Sequence, residues 1–435
     1  MSIALNFAYA CGLAAASPYI GFKMLTSARW RKGFAQRLGA IPERSGDEPC
    51  LWIHCASVGE TLAARPLIEH FRKEKPEWET AVSTTTPEGS RQARTFFDGT
   101  VFYFPIDFTF TIRSDIKKIR PRAAILVEKE IWPNFLAVFE RENIPVFTAN
   151  GVVSDRFHRR LRRLNRFGGA GNKMLNRIAA FCVQNDEYAE RLRSLDVAPE
   201  KIHVTGNTKF DNLRKKADED AVAALRKKFR IAPGTKIIVG GSTHKGEEKV
   251  LLEAFGKLRA GHKDLRLILA PRHTTRLKEV QAQVEASGFS HITRSALDRG
   301  TNQNISLRDR IIIVDTIGEL ANIYALATTA FVGGSLVDIG GHNILEPAVL
   351  AVPTLFGPYV SSCRDSADLL LKNDAAKIVR DACELEATLR FILDNPVKSA
   401  DMTVRAREAV LGQKGAAGRT AAIIINYING SRNQA

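Results

Sequence analysis

The 435-residue chain is poor in cysteine, with six in all and no CxxC pair among them. Scattered at positions 11, 50, 55, 182, 363 and 383, they give no disulfide framework and no cysteine metal centre, so reduced thiols are expected. The chain lacks the GxGxxG spacing and the GxxxxGK-S/T spacing, which removes the dinucleotide fingerprint and the P-loop. It has no low-complexity block. Acid is in short supply: 47 Asp and Glu stand against 63 Lys and Arg, a net charge of +16. An imbalance of that size implies an acidic partner, whether nucleic acid, anionic lipid or a phosphorylated substrate. A length of 435 residues exceeds one ordinary core, so two domains are expected.

The N-terminus lacks charge altogether. No charged side chain precedes Lys23, and no acid precedes Glu43. Ile3 to Phe22 is long enough to cross a bilayer, although Asn6, Ser17 and Pro18 weaken it as a span. Lys23, Arg29, Arg31, Lys32 and Arg37 follow and place everything after them on the cytoplasmic side. A basic flank after the apolar run opposes export, so an uncleaved anchor is favoured over a signal peptide cut near Ala14-Ala15-Ala16. A buried N-terminal helix is the third reading.

From Cys50 onward short β-rich runs alternate with amphipathic stretches. The spacing predicts strands at 51–55, 80–85, 101–105, 124–127, 146–149, 181–184 and 203–205, then at 237–240, 265–270, 311–314, 330–332, 354–356 and 376–379. A charged helix-like stretch, Leu213 to Phe229, separates the two series. The tail from Val397 reads as two helices broken near Gly415 to Gly418. Such alternation predicts two doubly wound parallel sheets, with ligand crevices at the carboxyl ends of the strands facing an interdomain cleft.

The candidate residues fall just after strands. Glu60 lies at the turn where the first helix begins, where a partly buried carboxylate serves as a general base; a helix-terminal acid favoured by the dipole explains the position as well. Glu128 and Glu130 follow the fourth strand, where buried acids are costly unless solvated or paired. Lys209 sits in Gly206-Asn207-Thr208-Lys209-Phe210-Asp211 at the end of the seventh. Ser242, in Gly240-Gly241-Ser242-Thr243-His244, and Gly333-Gly334 through Asn343 read as anion pockets, with amides and a helix start aimed at phosphate and Glu346 placed for a ribose. Arg272 can grip a phosphate with two N–H groups. Thr316 and Glu319 form a helix-capping turn that also suits the cleft. Arg156, Arg159, Arg160, Arg162, Arg163 and Arg166, interleaved with Phe157, Leu161, Leu164 and Phe167, make a basic amphipathic helix for lipid phosphates or a membrane surface. No nucleic-acid-binding motif accompanies it, and nucleic acid is not expected as a partner.

Taken in order, Ser57-Val58-Gly59-Glu60, Glu128-Lys129-Glu130-Ile131-Trp132-Pro133-Asn134, the Gly206–Asp211 motif, Gly241 to Glu248, Ala270-Pro271-Arg272-His273, Asp315 to Leu320 and Gly340 to Ala348 resemble the 3-deoxy-D-manno-oct-2-ulosonic acid (Kdo) transferases of lipopolysaccharide synthesis. The resemblance spans nearly the whole chain. It implies the α/β GT-B fold: two Rossmann-like doubly wound domains and an N-terminal apolar anchor helix. It divides the chain into an anchor (1–25), an acceptor-binding domain (26–212), a linker and helix (213–231), a nucleotide-sugar domain (232–415) and a C-terminal helix returning to the first domain (416–435).

The same resemblance implies transfer of Kdo from CMP-Kdo to the anionic lipid A precursor (lipid IVA), with inversion, without metal or cofactor, at the cytoplasmic face of the inner membrane. Glu60 would be the base. Glu128 and Lys209 would stabilise the transition state. Ser242, Pro271, Arg272, Ile317, Gly318, Glu319, Asn343, Ile344, Leu345 and Glu346 would contact CMP. Lys129 and Ile344 depart from the family's pattern, and Lys129 is placed to pair with either neighbouring acid. A GT-B transferase using a UDP-sugar on a lipid-linked acceptor is the alternative, and a non-catalytic membrane-surface protein a further one.

Overall fold

A computed structural model of the chain describes residues 2–166, 168–213, 216–299 and 306–432. Phe167 of the basic stretch and positions 214–215 of the charged stretch lie outside them. The chain divides into two compact units, Met1–Asn212 with Gln413–Ala435, and Leu213–Gly412.

In the first unit seven strands form one sheet: β1 (Cys50–Cys55), β2 (Glu79–Thr84), β3 (Thr100–Tyr103), β4 (Pro121–Val127), β5 (Val146–Gly151), β6 (Ala180–Val183) and β7 (Ile202–Val204). Their order is β3-β2-β1-β4-β5-β6-β7, with every pairing parallel. Helices cover both faces, which is why β1 is buried at all six positions. On one face Trp52 packs edge-on to Phe135 and against Phe102. On the other, Leu51 and Ile53 share a core with Phe71 and with Ala417, Ala421, Ile424 and Ile428 of the C-terminal helix. Asp211 fastens that helix (Ala416–Arg432) by accepting from the Gly415 and Ala417 amides at 2.6 and 2.8 Å.

The second unit repeats the plan with β8 (Ile237–Thr243), β9 (Arg266–Pro271), β10 (Ser290–Thr293), β11 (Arg310–Ile313), β12 (Thr329–Val332), β13 (Thr354–Phe356) and β14 (Ala376–Ile378), in the parallel order β10-β11-β9-β8-β12-β13-β14. β10 is not predicted from the sequence. It is an edge strand of four residues with only Ile292 fully buried, so its apolar pattern is faint. The segment expected as a linker and helix groups with this unit. Asp218 caps a helix over Glu219–Lys228, and Leu225, Phe229 and Ile231 are buried.

The expected N-terminal helix forms over Ser2–Thr26, with Pro18 inside it. Among the described residues, however, no helix is long and apolar enough to cross a membrane. Asn6, Ser17 and Pro18 dilute the apolar run, and Asn6 is in use. It accepts from Asn134 Nδ2 at 2.9 Å and donates to Thr109 at 2.7 Å, tying the helix to the first unit. Tyr9 donates to Asp107 beside it. Phe7, Tyr19, Phe22 and Leu25 remain exposed on this helix.

Candidate active site

In a doubly wound sheet the ligand crevice lies where the strand order reverses, because the connections leave neighbouring strands in opposite directions there. In the first unit that point is between β1 and β4. The chain leaving β1 enters Ala56-Ser57 and the helix Val58–Glu74. Ser57 Oγ accepts the Glu60 amide at 3.3 Å, and the Glu60 carboxylate returns to accept the Ala56 amide at 2.6 Å. Glu60 therefore closes the helix start, and it is half-buried. Burial pushes its carboxyl up to about 7, helped by the charges of Glu130 and Glu128 and opposed by the Ala56 N–H.

The chain leaving β4 turns at once. Glu128 adopts φ +61, a left-handed conformation that costs a non-glycine residue about 1–3 kcal/mol and gathers at functional sites. Its carboxylate stands 2.8 Å from Lys209 Nζ and accepts from Asn150 Nδ2 at 3.3 Å. Asn150 also accepts the Thr208 amide through its side-chain oxygen at 3.0 Å, fixing the turn that carries Lys209. The structure thus brings Glu60, Glu128 and Lys209 to one crevice. Lys129 is exposed and has no ion pair among the described residues, so the extra cation leaves both acids alone.

One residue here escapes the sequence reading. His54, within β1, is wholly buried, stacks on Phe104 and hydrogen-bonds to Ser83; its Nε2 lies 3.5 Å from Glu130. Burial holds the imidazole below its ordinary value. Glu130 also accepts from the Trp132 indole at 2.8 Å. A lone His inside a strand gives no sequence signal beyond its polarity, and only the fold shows what it touches.

In the second unit the order reverses between β8 and β12. Here the anion pocket expected from the glycine turn is corrected. The Gly334, Ser335 and Leu336 amides donate to the fully buried Glu247 carboxylate at 2.8, 3.0 and 2.9 Å, and the His244 amide joins them at 2.8 Å. Those N–H groups are already satisfied by an acid supplied by the chain itself. The glycines have a packing reason: a Cβ on Gly333 would lie 2.6 Å from Glu247 Oε2 and the Ser242 carbonyl. Glu247 stands at the start of an ordinary-looking helix, and its sequence position does not betray this role.

Ser242 (φ +53) is the next-to-last residue of β8, at a register shift between Gly241 and Thr243, and Thr243 pairs with Pro271 at the end of β9. Arg272 follows, exposed, anchored by its amide to the Thr243 carbonyl at 3.0 Å, with no partner for its guanidinium among the described residues. Asn343 donates to Glu346 at 3.0 Å, and burial raises the Glu346 carboxyl while Asn343 and Arg272 oppose it. Ile344 and Leu345 turn their side chains into the core, which leaves only their backbone to meet a ligand. Ile317 is 90% exposed and Gly318 has φ +94, but Glu319 is engaged by Arg294 at 2.7 Å and Thr316 at 2.6 Å. Among the described residues there is no group of three or more His, Cys, Asp or Glu that could hold a metal ion.

The basic stretch forms the helix Asp155–Asn165, and all six of its arginines are exposed without an ion pair among the described residues. Arg160 is close enough to Tyr9 of the N-terminal helix for its charge to act on the hydroxyl.

Residues 32–212 match the family model described as 3-deoxy-D-manno-octulosonic-acid transferase (kdotransferase). The chain is similar to a 3-deoxy-D-manno-octulosonic acid transferase of Chlamydophila psittaci, 33% identical over 91% of this chain and 88% of that one. It is similar also to the Haemophilus influenzae protein of the same name, 30% identical over 94% and 95%. In fold it resembles a UDP-GlcNAc 2-epimerase from Neisseria meningitidis (TM-score 0.59, 13% identity, 87% of this chain and 100% of that one) and a glycosyltransferase from Rickettsia africae (TM-score 0.57, 14% identity, 88% and 99%). Those two show a shared architecture of paired Rossmann-like domains, as in GT-B proteins. With a third of its positions shared along nine-tenths of its length, this chain belongs to the Kdo transferase family of glycosyltransferases.

Proposed function

We propose that this chain moves Kdo from CMP-Kdo to the lipid A precursor lipid IVA, with inversion, at the cytoplasmic face of the inner membrane. The observation that carries the reading is Glu60: a half-buried carboxyl at a strand-order reversal, pushed up to about 7, where it is both a competent base and a willing proton carrier. In the proposed step Glu60 takes the proton of an acceptor hydroxyl, whose oxygen attacks C2 of the sugar on the face opposite the nucleotide. The bond from C2 to the phosphate oxygen breaks, and its electrons go to the phosphate. In the second unit Arg272 offers the nucleotide phosphate a guanidinium with no partner among the described residues, and in the first unit the Lys209–Glu128 pair holds a positive charge in place before the reaction.

Membrane attachment is proposed as surface lying rather than spanning. The exposed aromatics of the Ser2–Thr26 helix supply an apolar contact, and the exposed arginines of Asp155–Asn165 supply attraction to anionic lipid.

The test is an assay with membranes, CMP-Kdo and tetra-acylated lipid A precursor, followed by mass analysis. Product heavier by Kdo is expected. Product from a UDP-sugar and none from CMP-Kdo would overturn the donor assignment.

A further inference from the structure

His244 and His342 touch each other at the strand-order reversal of the second unit. Their Nε2 atoms are 2.7 Å apart, and their rings are stacked at 5.0 Å with 13° between planes. The pair rests on the backbone of the glycine turn: a Cβ on Gly334 would lie 2.9 Å from His342 Cδ2 and 3.6 Å from His244 Cδ2. His273 meets His244 edge-on at 5.6 Å.

The short contact fixes the protons. One Nε2 must donate and the other accept, so one proton lies between the rings. The donating ring then has a bare Nδ1, and the accepting ring carries its own proton on Nδ1. Neither Nδ1 has a hydrogen-bond partner among the described residues. One added proton turns the donating ring into an imidazolium and leaves the pair with two outward Nδ1–H donors. A second would set two N–H groups against each other, so the capacity of the pair is one.

The surroundings decide when that proton arrives. Glu247 and Glu248 lie on the helix that follows His244, but Glu247 is saturated by four amides and Glu248 by Arg276 and Thr243. Arg272, His273 and Arg276 face the pair from the segment after β9. Burial lowers His244 and takes His342 down to about 4, with Arg272, His244 and His273 adding to the effect on His342. At neutral pH the empty pair is uncharged.

We propose that the His244–His342 pair is the proton-accepting part of the donor phosphate site: it takes up one proton from solvent when a phosphate monoester binds beside Arg272, and hydrogen-bonds to it through Nδ1. This rests on the reading that the second unit binds CMP. The incoming negative charge reverses the balance set by burial and Arg272, and the pair answers with one positive charge and two donors. The only bonds that change are those of the proton: an N–H bond forms on the imidazole as an O–H bond of the solvent breaks, and the transfer reverses when the nucleotide leaves.

The experiment is calorimetric titration of CMP into the full chain at pH 7.5 in two buffers of different ionisation enthalpy, with His342→Gln and His244→Gln alongside. The wild type is expected to take up close to one proton more than either variant. Its dissociation constant should rise about tenfold for each pH unit between 7 and 8. Histidine ¹⁵N spectra of the wild type supply a readout independent of the variants' folding, and CMP should bring an imidazolium pattern to this pair. CMP binding without net proton uptake, equal uptake in the variants, or a neutral pattern with CMP bound would overturn the inference and leave the donor assignment standing. Absence of CMP binding by the wild type would overturn both.

Discussion

Lys209 and Glu128 lie 2.8 Å apart although they leave the ends of different strands, β7 and β4. The carboxylate is largely buried and the ammonium half-exposed, so a largely buried acid holds a cation that solvent still reaches. Lys209→Ala should leave stability within about 1 kcal/mol of wild type, because solvent screens the half-exposed ammonium and the Glu128 carboxylate keeps its hydrogen bond from Asn150. Turnover should fall about a hundredfold or more if the cation stabilises developing charge. Parallel thermal melts and initial rates check this, and a large loss of stability would make the pair structural.

Glu60→Gln should reduce transfer by about a hundred- to ten-thousand-fold while CMP binding is kept. The wild-type rate should climb with pH and level off above about 7, because the base must be ionised. Rates across pH 5 to 9 and CMP titrations decide this; wild-type turnover in the variant removes Glu60 from the role.

The same residue predicts a pH-dependent stability. The folded value of Glu60 lies above its unfolded one, so its favourable contribution is complete at low pH and is lost as pH rises through about 7. Glu60→Gln does not titrate. The melting temperature of the variant relative to wild type should therefore increase between pH 5 and 8.

Arg276 holds the wholly buried Glu248 carboxylate through Nη1 at 2.8 Å, and Thr243 Oγ1 donates to the same oxygen at 2.9 Å. Arg276→Ala leaves a buried charge without its cation and should cost about 3–5 kcal/mol in denaturant unfolding. Replacing both Arg276 and Glu248 by apolar residues should recover part of that loss.

Reversing Arg156, Arg160 and Arg163 to Glu should weaken partition onto vesicles containing anionic lipid, by about 1 kcal/mol per charge removed. The difference should shrink in high salt. Unchanged partitioning would place membrane attachment elsewhere.

The alternation of strands, the two sheets and the acids after β1 and β4 are legible in the sequence because parallel strands buried on both faces write continuous apolar runs. Glu60 is legible as an acid at a helix start, a position that the helix dipole explains as well. What does not show is any role created by partners distant in sequence: Glu247 needs amides from Gly334 to Leu336, and His244 needs His342. The glycine turn illustrates the limit. Its residues announce free amides, yet a carboxylate some ninety positions earlier has already taken them. Ile344 shows the converse, since a residue inside a motif expected to contact the nucleotide turns its side chain into the core.

The last helix of the chain fills the core of the first unit, through Ala417, Ala421, Ile424 and Ile428. A ribosome delivers those residues only after it has made Leu213–Gly412. The amino-terminal lobe must wait, unfinished and with apolar surface uncovered, while Leu213–Gly412 emerges with every strand it needs. The half of the molecule made second is thus the half able to mature first.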